Sequence, residues 1–362
     1  MRIELTEQSG FEVNNLAAAD MTPAMAARYL EGKIHIRGFE EFLRQLYPGR
    51  DLKERLIFAL TEQGGVKDSA AKRVRNWLQG KNLPADREDL FRIAFAPGFD
   101  EVQTSALLGF CTDYGIHYRS GRELTYAYCL RRGLTYCEAA ALYASLPDPA
   151  GGAAASRMVT HRIVSVFHDV KEDEAFIRLY GEYLDFFSEL HERSYEYFER
   201  YFGLLVSPEG TKENYSVQEA MEIYFSLHMP AGSRRSQYSV VQKMLKQGWP
   251  NATSLKNIRA RREDVPRKLL LLLYIVTENV VDGDYDEIDE DYLSKEELFE
   301  EHWWRVNLML KDCGMPTLDP RNAYDWLVLY SLNDVDGESA MSERMEAVIA
   351  AMFGNIFEQE GD

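Results

Sequence analysis

The chain has 362 residues, of which 46% are hydrophobic and 28% charged, and its formal net charge is -18. This composition suits a folded, globular protein of two or three domains and argues against a disordered chain. The longest apolar run, residues 269–276, is too short to span a bilayer. No secretory signal pattern opens the chain, so we expect a cytoplasmic protein. The four cysteines show no CxxC spacing, and we expect them to be small buried side chains without disulfides.

The negative charge is concentrated in the second part of the chain. Residues 1–150 carry 19 basic and 20 acidic side chains, whereas residues 151–362 carry 22 and 39. Twelve of the acids fall within residues 278–301, and like charges at this density predict a solvated insertion. This segment lacks the glycine and glutamate spacing of an EF-hand calcium loop. We therefore predict no metal site and no cofactor.

Helices are predicted from residue 38 onward by apolar residues at three- and four-residue spacing. The first two cover residues 38–47 and 51–63. Asp68 is a suitable N-cap for a third helix over residues 69–79, which Gly80 ends.

Two further helices follow, one from Asp86 to about Pro97 and one over residues 100–111. Residues 156–205 form a predicted helical bridge in which ten aromatic residues recur at helical spacing, a pattern typical of a buried core but also compatible with a dimer seam or a peptide groove. No segment alternates with a period of two. The predicted fold class is all-α.

The chain contains two similar segments. Residues 119–130 align without a gap on residues 321–332, and a glycine, an apolar stretch and a basic helix-like segment precede each copy in the same order. This pattern predicts a duplicated module. The predicted domains are an N-terminal extension over 1–36, a first module over 37–147, the aromatic bridge over 156–205, and a second, divergent module over 216–355 with the acidic insertion 278–301.

The matched positions also predict core residues and contacts. Arg119 and Arg321 each precede a carboxylate by four residues, Glu123 and Asp325, which favours a structural role as helix caps or ion pairs. Matched apolar positions are predicted to be buried: Trp77, Leu78, Leu107, Leu124, Leu130, Leu308, Trp326 and Leu332.

Basic residues recur at the equivalent place in both copies. Residues 67–81 hold five bases against one acid, and residues 234–268 hold ten against two. A basic patch that recurs in an otherwise acidic chain is the electrostatic footprint of phosphate contact. An isolated surface patch on a helix, in contrast, is usually only solvated.

The most specific motif runs from Val74 to Pro84 and reads Val-Arg-Asn-Trp-Leu-Gln-Gly-Lys-Asn-Leu-Pro. Together with the five predicted helices and the glycine turn between the second and third, it resembles the helix-turn-helix domain of phage-repressor-like (XRE-type) DNA-binding proteins. The resemblance covers residues 37–111 and, more faintly, 216–310. It implies that the third helix lies in the major groove of DNA.

The resemblance and the basic patches together give the candidate DNA-binding residues. In the first module, the resemblance implies that five residues of the third helix face the major groove and that one residue of the loop after it approaches a phosphate: Ser69, Ala70, Lys72, Arg73 and Asn76 in the helix, and Lys81 in the loop. Arg75 is expected to contact a phosphate. In the second module, where Arg261 replaces the helix-terminating glycine, the expected patch is Lys256, Arg259, Arg261 and Arg262.

Two functions are compatible with these features. The first is a DNA-binding transcriptional regulator of a bacterial or mobile-element system, with double-stranded DNA as its partner. The second is an adaptor or scaffold that keeps the helix-turn-helix fold and binds protein, as a homodimer or with another partner, through the aromatic bridge. No HExxH or HxH motif and no phosphate-binding loop occurs in the sequence, so we expect no catalytic residues and no enzyme activity.

Overall fold

A computed structural model describes residues 7–17, 21–61, 67–148, 160–188, 190–207, 214–230, 238–277, 294–333 and 339–357. These ranges contain helices and turns and no strand, which confirms the all-α prediction. In chain order the helices are α1 (Glu7–Ala17), α2 (Pro23–Gly32), α3 (Phe39–Leu46), α4 (Leu52–Thr61), α5 (Lys67–Leu78), α6 (Arg87–Phe95), α7 (Glu101–Cys111), α8 (Gly121–Arg132), α9 (Tyr136–Ala144), α10 (Thr160–His168), α11 (Asp173–Glu182), α12 (Glu192–Val206), α13 (Val217–Ala220), α14 (Val240–Lys246), α15 (Ala252–Arg259), α16 (Arg267–Thr277), α17 (Lys295–Asp312), α18 (Ala323–Leu332) and α19 (Met341–Phe357). A 3-10 turn at Leu184–Phe186 follows α11, and a π-helical turn at Met221–Phe225 extends α13.

The helices belong to two compact units. Unit 1 consists of Met1–Ile36, Glu192–Cys313 and Thr317–Asp362, and unit 2 of Arg37–His191 and Gly314–Pro316. The predicted bridge is divided between them, because α10 and α11 belong to unit 2 and α12 to unit 1. The N-terminal extension belongs to unit 1 rather than to the module that follows it in sequence.

The core of unit 2 explains how its helices are held. Side chains at helical spacing on α3 to α8 meet side chains from α10 and α11 in one buried cluster. Burying such side chains is the main favourable contribution to folding. Fully or nearly fully buried members of the cluster include Leu43, Leu56, Val74, Trp77, Leu90, Leu107, Leu124, Phe167, Phe176 and Tyr180.

Most of the predicted core residues are buried. Leu78 and Leu308 are only half-buried. The other predicted positions expose less than a tenth of their surface: Trp77, Leu107, Leu124, Leu130, Trp326 and Leu332.

The carboxylates at the two matched helix starts bind arginines that the sequence patterns did not indicate. In unit 2, Glu123 accepts hydrogen bonds from Nε and Nη2 of Arg87, both at 2.7 Å. In unit 1, Asp325 accepts from Nη1 and Nη2 of Arg267, at 2.6 and 2.9 Å. These contacts recur at matched positions, while the superposition of the two whole modules stays a prediction.

Arg119 and Arg321 have a structural role, although with other partners than the carboxylates proposed. Each donates from Nε to a main-chain carbonyl oxygen, that of Phe186 at 3.2 Å and that of His35 at 2.9 Å respectively. Both arginines are almost fully buried. They therefore tie the start of the following helix to a distant part of the chain.

Some predictions concern residues whose structure is not described. The acidic insertion lies outside the described residues from 278 to 293, and residues 294–301 belong to the start of α17 and its cap.

The third predicted helix begins at Lys67, so Asp68 lies in its first turn rather than at its N-cap. All four cysteines are free, with Cys129 and Cys313 buried.

Candidate nucleic-acid interface

The candidate interface is built on α5, whose inner face is fixed by the core of unit 2. Ala70, Val74 and Trp77 lie four and three residues apart on one side of the helix and are buried. This spacing places the residues between them on the outer side. Ala70 is therefore in the core, and its predicted place facing the major groove is wrong.

The remaining candidate residues of unit 2 lie together on the outer side of α5 and in the loop after it. Asn76 is half-buried on this helix. The loop begins at Gly80, whose φ of 66° is left-handed and suits glycine. The exposed candidates are Ser69, Lys72, Arg73, Arg75 and Lys81.

Arg73 is held within unit 2. Its Nη2 forms an ion pair with Oδ2 of Asp89 on α6, and its guanidinium carbon lies 5.0 Å from the ring centroid of Trp77. Asp89 is 8% exposed and also lies 3.4 Å from Nη1 of Arg92. A guanidinium fixed by a carboxylate and an aromatic face has a defined direction, so Arg73 is preorganised and partly neutralised.

Lys72, Arg75 and Lys81 differ from Arg73. All three are exposed and have no ion-pair partner among the residues that the structure describes. Asp68, in the first turn of α5, is exposed on the same helix. Over residues 67–81, five cations stand against one acid, so α5 and the loop after it are net positive even with Arg73 paired to Asp89.

The second patch lies on α15 and the turn after it, in unit 1. Lys256, Arg259 and Arg262 are exposed, and the guanidinium carbon of Arg259 lies 5.7 Å from the ring centroid of Phe202. Asn257, in the same helix, donates to Glu263 at 2.7 Å. The patch therefore has an acid beside its bases.

Arg261 contacts α12 and so helps to stabilise unit 1. Its Nη1 lies 2.6 Å from Glu192 and its Nη2 3.5 Å from Glu199, both on α12. Its guanidinium carbon also lies 4.7 Å from the ring centroid of Tyr195. Two carboxylates and an aromatic ring surround this charge, so it contributes less positive potential at the surface than its sequence position suggested.

The third helices of the two copies end in the same way. Gly80 and Lys81 donate their backbone N–H groups to residues three and five positions earlier, and Arg261 and Arg262 do likewise. Arg261 adopts a φ of 53° where Gly80 has 66°. The arginine thus takes the backbone conformation of the glycine that it replaces.

The acidic partners of the basic residues were not found by sequence reasoning. Asp89 is separated from Arg73 by 16 residues, and Glu192 from Arg261 by 69. No helical spacing relates positions so far apart. The tertiary fold brings them together, since α5 and α6 both pack on α4, and α12 and α15 both pack on α13.

Most of the aromatic residues in the predicted bridge are buried. Tyr183, Phe186 and Phe187 are half-buried. The other seven residues of the stripe are buried: Phe176, Tyr180, Tyr195, Tyr197, Phe198, Tyr201 and Phe202. The core interpretation of this stripe is therefore favoured over a dimer seam.

The described part of the chain holds neither a metal-binding cluster nor a membrane-spanning helix. Within it, no three histidine, cysteine or acidic side chains lie close enough together to bind a metal ion. No helix there combines the length and apolar character that crossing a membrane requires. Comparison with known proteins found no matching family model, no similar curated protein and no similar solved structure.

Proposed function

We propose that the protein is a DNA-binding transcriptional regulator and that unit 2 binds double-stranded DNA through the outer face of α5. The observation that supports this most directly is the group of Lys72, Arg75 and Lys81. These cations are exposed, lack ion-pair partners among the described residues and lie on one helix and the loop after it. The opposite face of that helix is anchored in the core, so the charges are presented by a rigid element.

The chemistry of this face suits a duplex. Lysine and arginine that neutralise phosphates release condensed counterions, which makes binding favourable at low salt. Ser69 and Asn76, at helical spacing with Lys72, supply hydroxyl and amide groups of the kind that contact phosphates and base edges. Arg73 is directed by Asp89 and Trp77 and contributes a weaker, more fixed charge.

Unit 1 has a lesser part in this proposal. Arg261 is engaged by Glu192 and Glu199, which leaves Lys256, Arg259 and Arg262 as the candidates for a second contact. We propose that this patch adds nonspecific affinity at most.

A different function, an adaptor that binds protein, is favoured by one observation in unit 1. Val240 and Met244 lie one turn apart on α14 and are 66% and 40% exposed. Exposed apolar side chains on one helical face are a feature of protein-binding surfaces. The high net negative charge of the chain, -18, also opposes contact with DNA away from the α5 face.

Fluorescence anisotropy with a labelled duplex of random sequence, measured over a salt series, separates the two functions. If Lys72, Arg75 and Lys81 each neutralise one phosphate, log Kd should rise with log salt with a slope of about 2.7. Replacing Lys72 by Gln should reduce this slope by about 1. A protein with no salt-dependent affinity for the duplex at low ionic strength would support the adaptor.

The charge-reversal variant Lys72→Glu/Arg75→Glu gives the sharper comparison. It should abolish binding without lowering the melting temperature, because exposed charges contribute little to stability. Arg162→Glu/Arg178→Glu is the matched control, since both arginines are exposed on other helices of unit 2 and the change in net charge is the same. Equal loss of affinity in both variants would mean that only the overall charge matters, and the α5 site would be rejected.

A further inference from the structure

The helices α10 and α11 with the 3-10 turn after them, residues 160–187, form a helix pair that is anchored to the start and middle of α8. Tyr128, on α8, donates its hydroxyl to Oδ1 of Asp173, the first residue of α11, at 2.6 Å, and the same hydroxyl lies 3.3 Å from the carbonyl oxygen of Lys171, just before α11. Arg119, before α8, donates from Nε to the carbonyl oxygen of Phe186, after α11, at 3.2 Å. Both ends of α11 are thus held by residues of the same repeated segment.

The helices α1 and α2 with the turn after them, residues 7–36, form a second helix pair that is anchored in the same way in unit 1. Tyr330, on α18, donates its hydroxyl to the carbonyl oxygen of Met21, just before α2, at 2.8 Å. Arg321 donates from Nε to the carbonyl oxygen of His35, after α2, at 2.9 Å.

These four donors are two matched pairs. In the gapless alignment of residues 119–130 with 321–332, Arg119 corresponds to Arg321 and Tyr128 to Tyr330. Both arginines donate to a main-chain carbonyl oxygen after the second helix of a pair. Both tyrosine hydroxyls contact the start of that helix, Tyr330 at the carbonyl oxygen of Met21 and Tyr128 at the side chain of Asp173. Side chains that are the same in both copies therefore hold the two ends of the second helix of a pair, and the two pairs are equivalent parts of the repeat.

The order along the chain shows which pair belongs to which copy. The pair at 7–36 precedes residues 37–148, here called the first body, and the pair at 160–187 precedes residues 192–357, the second body. Yet the first pair packs in unit 1 with the second body, and the second pair packs in unit 2 with the first body.

We infer that the repeat consists of a helix pair and a body, and that the two repeats exchange their pairs within the chain. The docking surface is formed in each body by the matched arginine and tyrosine, on α8 in one and α18 in the other. Its occupant is the helix pair of the other repeat. The chain thus has the connectivity of a domain-swapped dimer whose two protomers are joined by residues 149–159.

The consequence is that the two halves of the chain hold each other together without the linker. The experiment uses the full-length protein with a site for a specific protease inserted within residues 149–155. The folded protein is cut and analysed by size-exclusion chromatography with light scattering. The two fragments should elute as one species with the mass of the uncut chain, and fragments that separate on cutting would overturn the inference.

Substitutions then test whether the exchanged pairs cause the association. Arg119→Ala/Tyr128→Phe and Arg321→Ala/Tyr330→Phe each remove the anchoring hydrogen bonds of one helix pair and should weaken the association of the cut fragments by on the order of 10-fold or more. The matched controls, Tyr118→Phe and Tyr274→Phe, remove hydrogen bonds that stay within one body, to Glu101 and His302, both at 2.8 Å. The fragments of the controls should associate as the unsubstituted fragments do.

The dissociation constants are measured by diluting the cut proteins, and circular dichroism of the uncut variants verifies that they fold. If the anchor variants associate as tightly as the controls, the exchanged pairs do not hold the halves together and the inference fails. These results do not depend on whether unit 2 binds DNA.

Discussion

Arg267 and Asp325 form a two-point ion pair that joins the start of α16 to the start of α18. The guanidinium and carboxylate are 11% and 3% exposed, and Asp325 also accepts the backbone N–H of Asp319 at 2.9 Å. Because both charges are largely removed from water, each depends on the other for compensation. The pair therefore fixes the geometry of the loop that leads into α18.

Replacing Asp325 by Asn should lower the free energy of unfolding by about 3 to 5 kcal/mol, since Arg267 is then left as a buried charge without its counterion. Chemical denaturation followed by circular dichroism measures the change. The matched variant in unit 2 is Glu123→Gln. It should cost less, because Arg87 is 29% exposed and also donates to the hydroxyl of Thr112 at 2.9 Å.

The double variant Arg267→Met/Asp325→Leu removes both charges of this ion pair. It distinguishes an ion pair that stabilises the fold from one that is only costly to break. It should be more stable than Asp325→Asn, because no buried charge remains. A double variant that is less stable than Asp325→Asn would contradict this account.

The contact between Gly121 and Tyr180 gives a second prediction. A Cβ atom at residue 121 would overlap the phenol ring and hydroxyl of Tyr180, so Gly121→Ala should cost about 1 to 3 kcal/mol of stability. In a Tyr180→Leu background the same substitution should cost less, which a double-mutant cycle measures. Gly181→Ala, on the same helix as Tyr180, is the control. Nothing lies within 4 Å of its added Cβ, so it should be neutral or slightly stabilising.

The sequence predicted the helical class and much of the core because both depend on local spacing. Trp77 lies on the one apolar face of α5, and Trp326 lies in an apolar run that forms α18, all ten residues of which are buried. The gapless alignment also identified Arg119 and Arg321 as matched residues. Their acceptors are main-chain carbonyl groups, which carry no signal in the sequence, and for this reason the exchange of helix pairs could not be predicted.

The candidate site was predictable to a similar extent. Helical spacing around Val74 and Trp77 indicates which residues of α5 face outward, and Lys72 and Arg75 are exposed as expected. The same spacing puts Ala70 on the inner face, although the family resemblance implies that this residue faces the major groove. Asp89 was missed because its contact with Arg73 depends on how α5 and α6 are placed by their packing on α4.

The third prediction concerns the left-handed residues that end α5 and α15. Gly80→Ala should lower the free energy of unfolding by about 1 kcal/mol, because the φ of residue 80 is 66°, which disfavours alanine. No atom lies within 4 Å of the added Cβ, so the whole cost comes from the backbone conformation. Arg261→Gly should relieve a similar strain but lose the contacts with Glu192 and Tyr195. We expect a net change within about 1 kcal/mol, measured by thermal denaturation. A loss well above that for Arg261→Gly would mean that its ion pairs contribute more than exposed pairs usually do.

The fourth prediction concerns His302, which is 1% exposed on α17 and whose Nδ1 lies 2.8 Å from the hydroxyl of Tyr274. Burial, with a smaller contribution from the charge of Arg305, lowers the pKa of His302 from 6.5 to about 4. Between these values the unfolded chain binds a proton that the folded chain does not. The free energy of unfolding should therefore fall as pH decreases from about 6.5 to about 4, by on the order of 3 kcal/mol.

Urea denaturation of the wild-type protein and of His302→Gln across this pH range tests that account. The substitution should flatten the decrease, since the glutamine binds no proton in either state. His168→Gln is the control, because His168 is exposed on α10 and its replacement should leave the decrease in place. If His302→Gln loses stability with falling pH as steeply as the wild-type protein, the acid sensitivity arises elsewhere, and the buried imidazole of α17 is not its source.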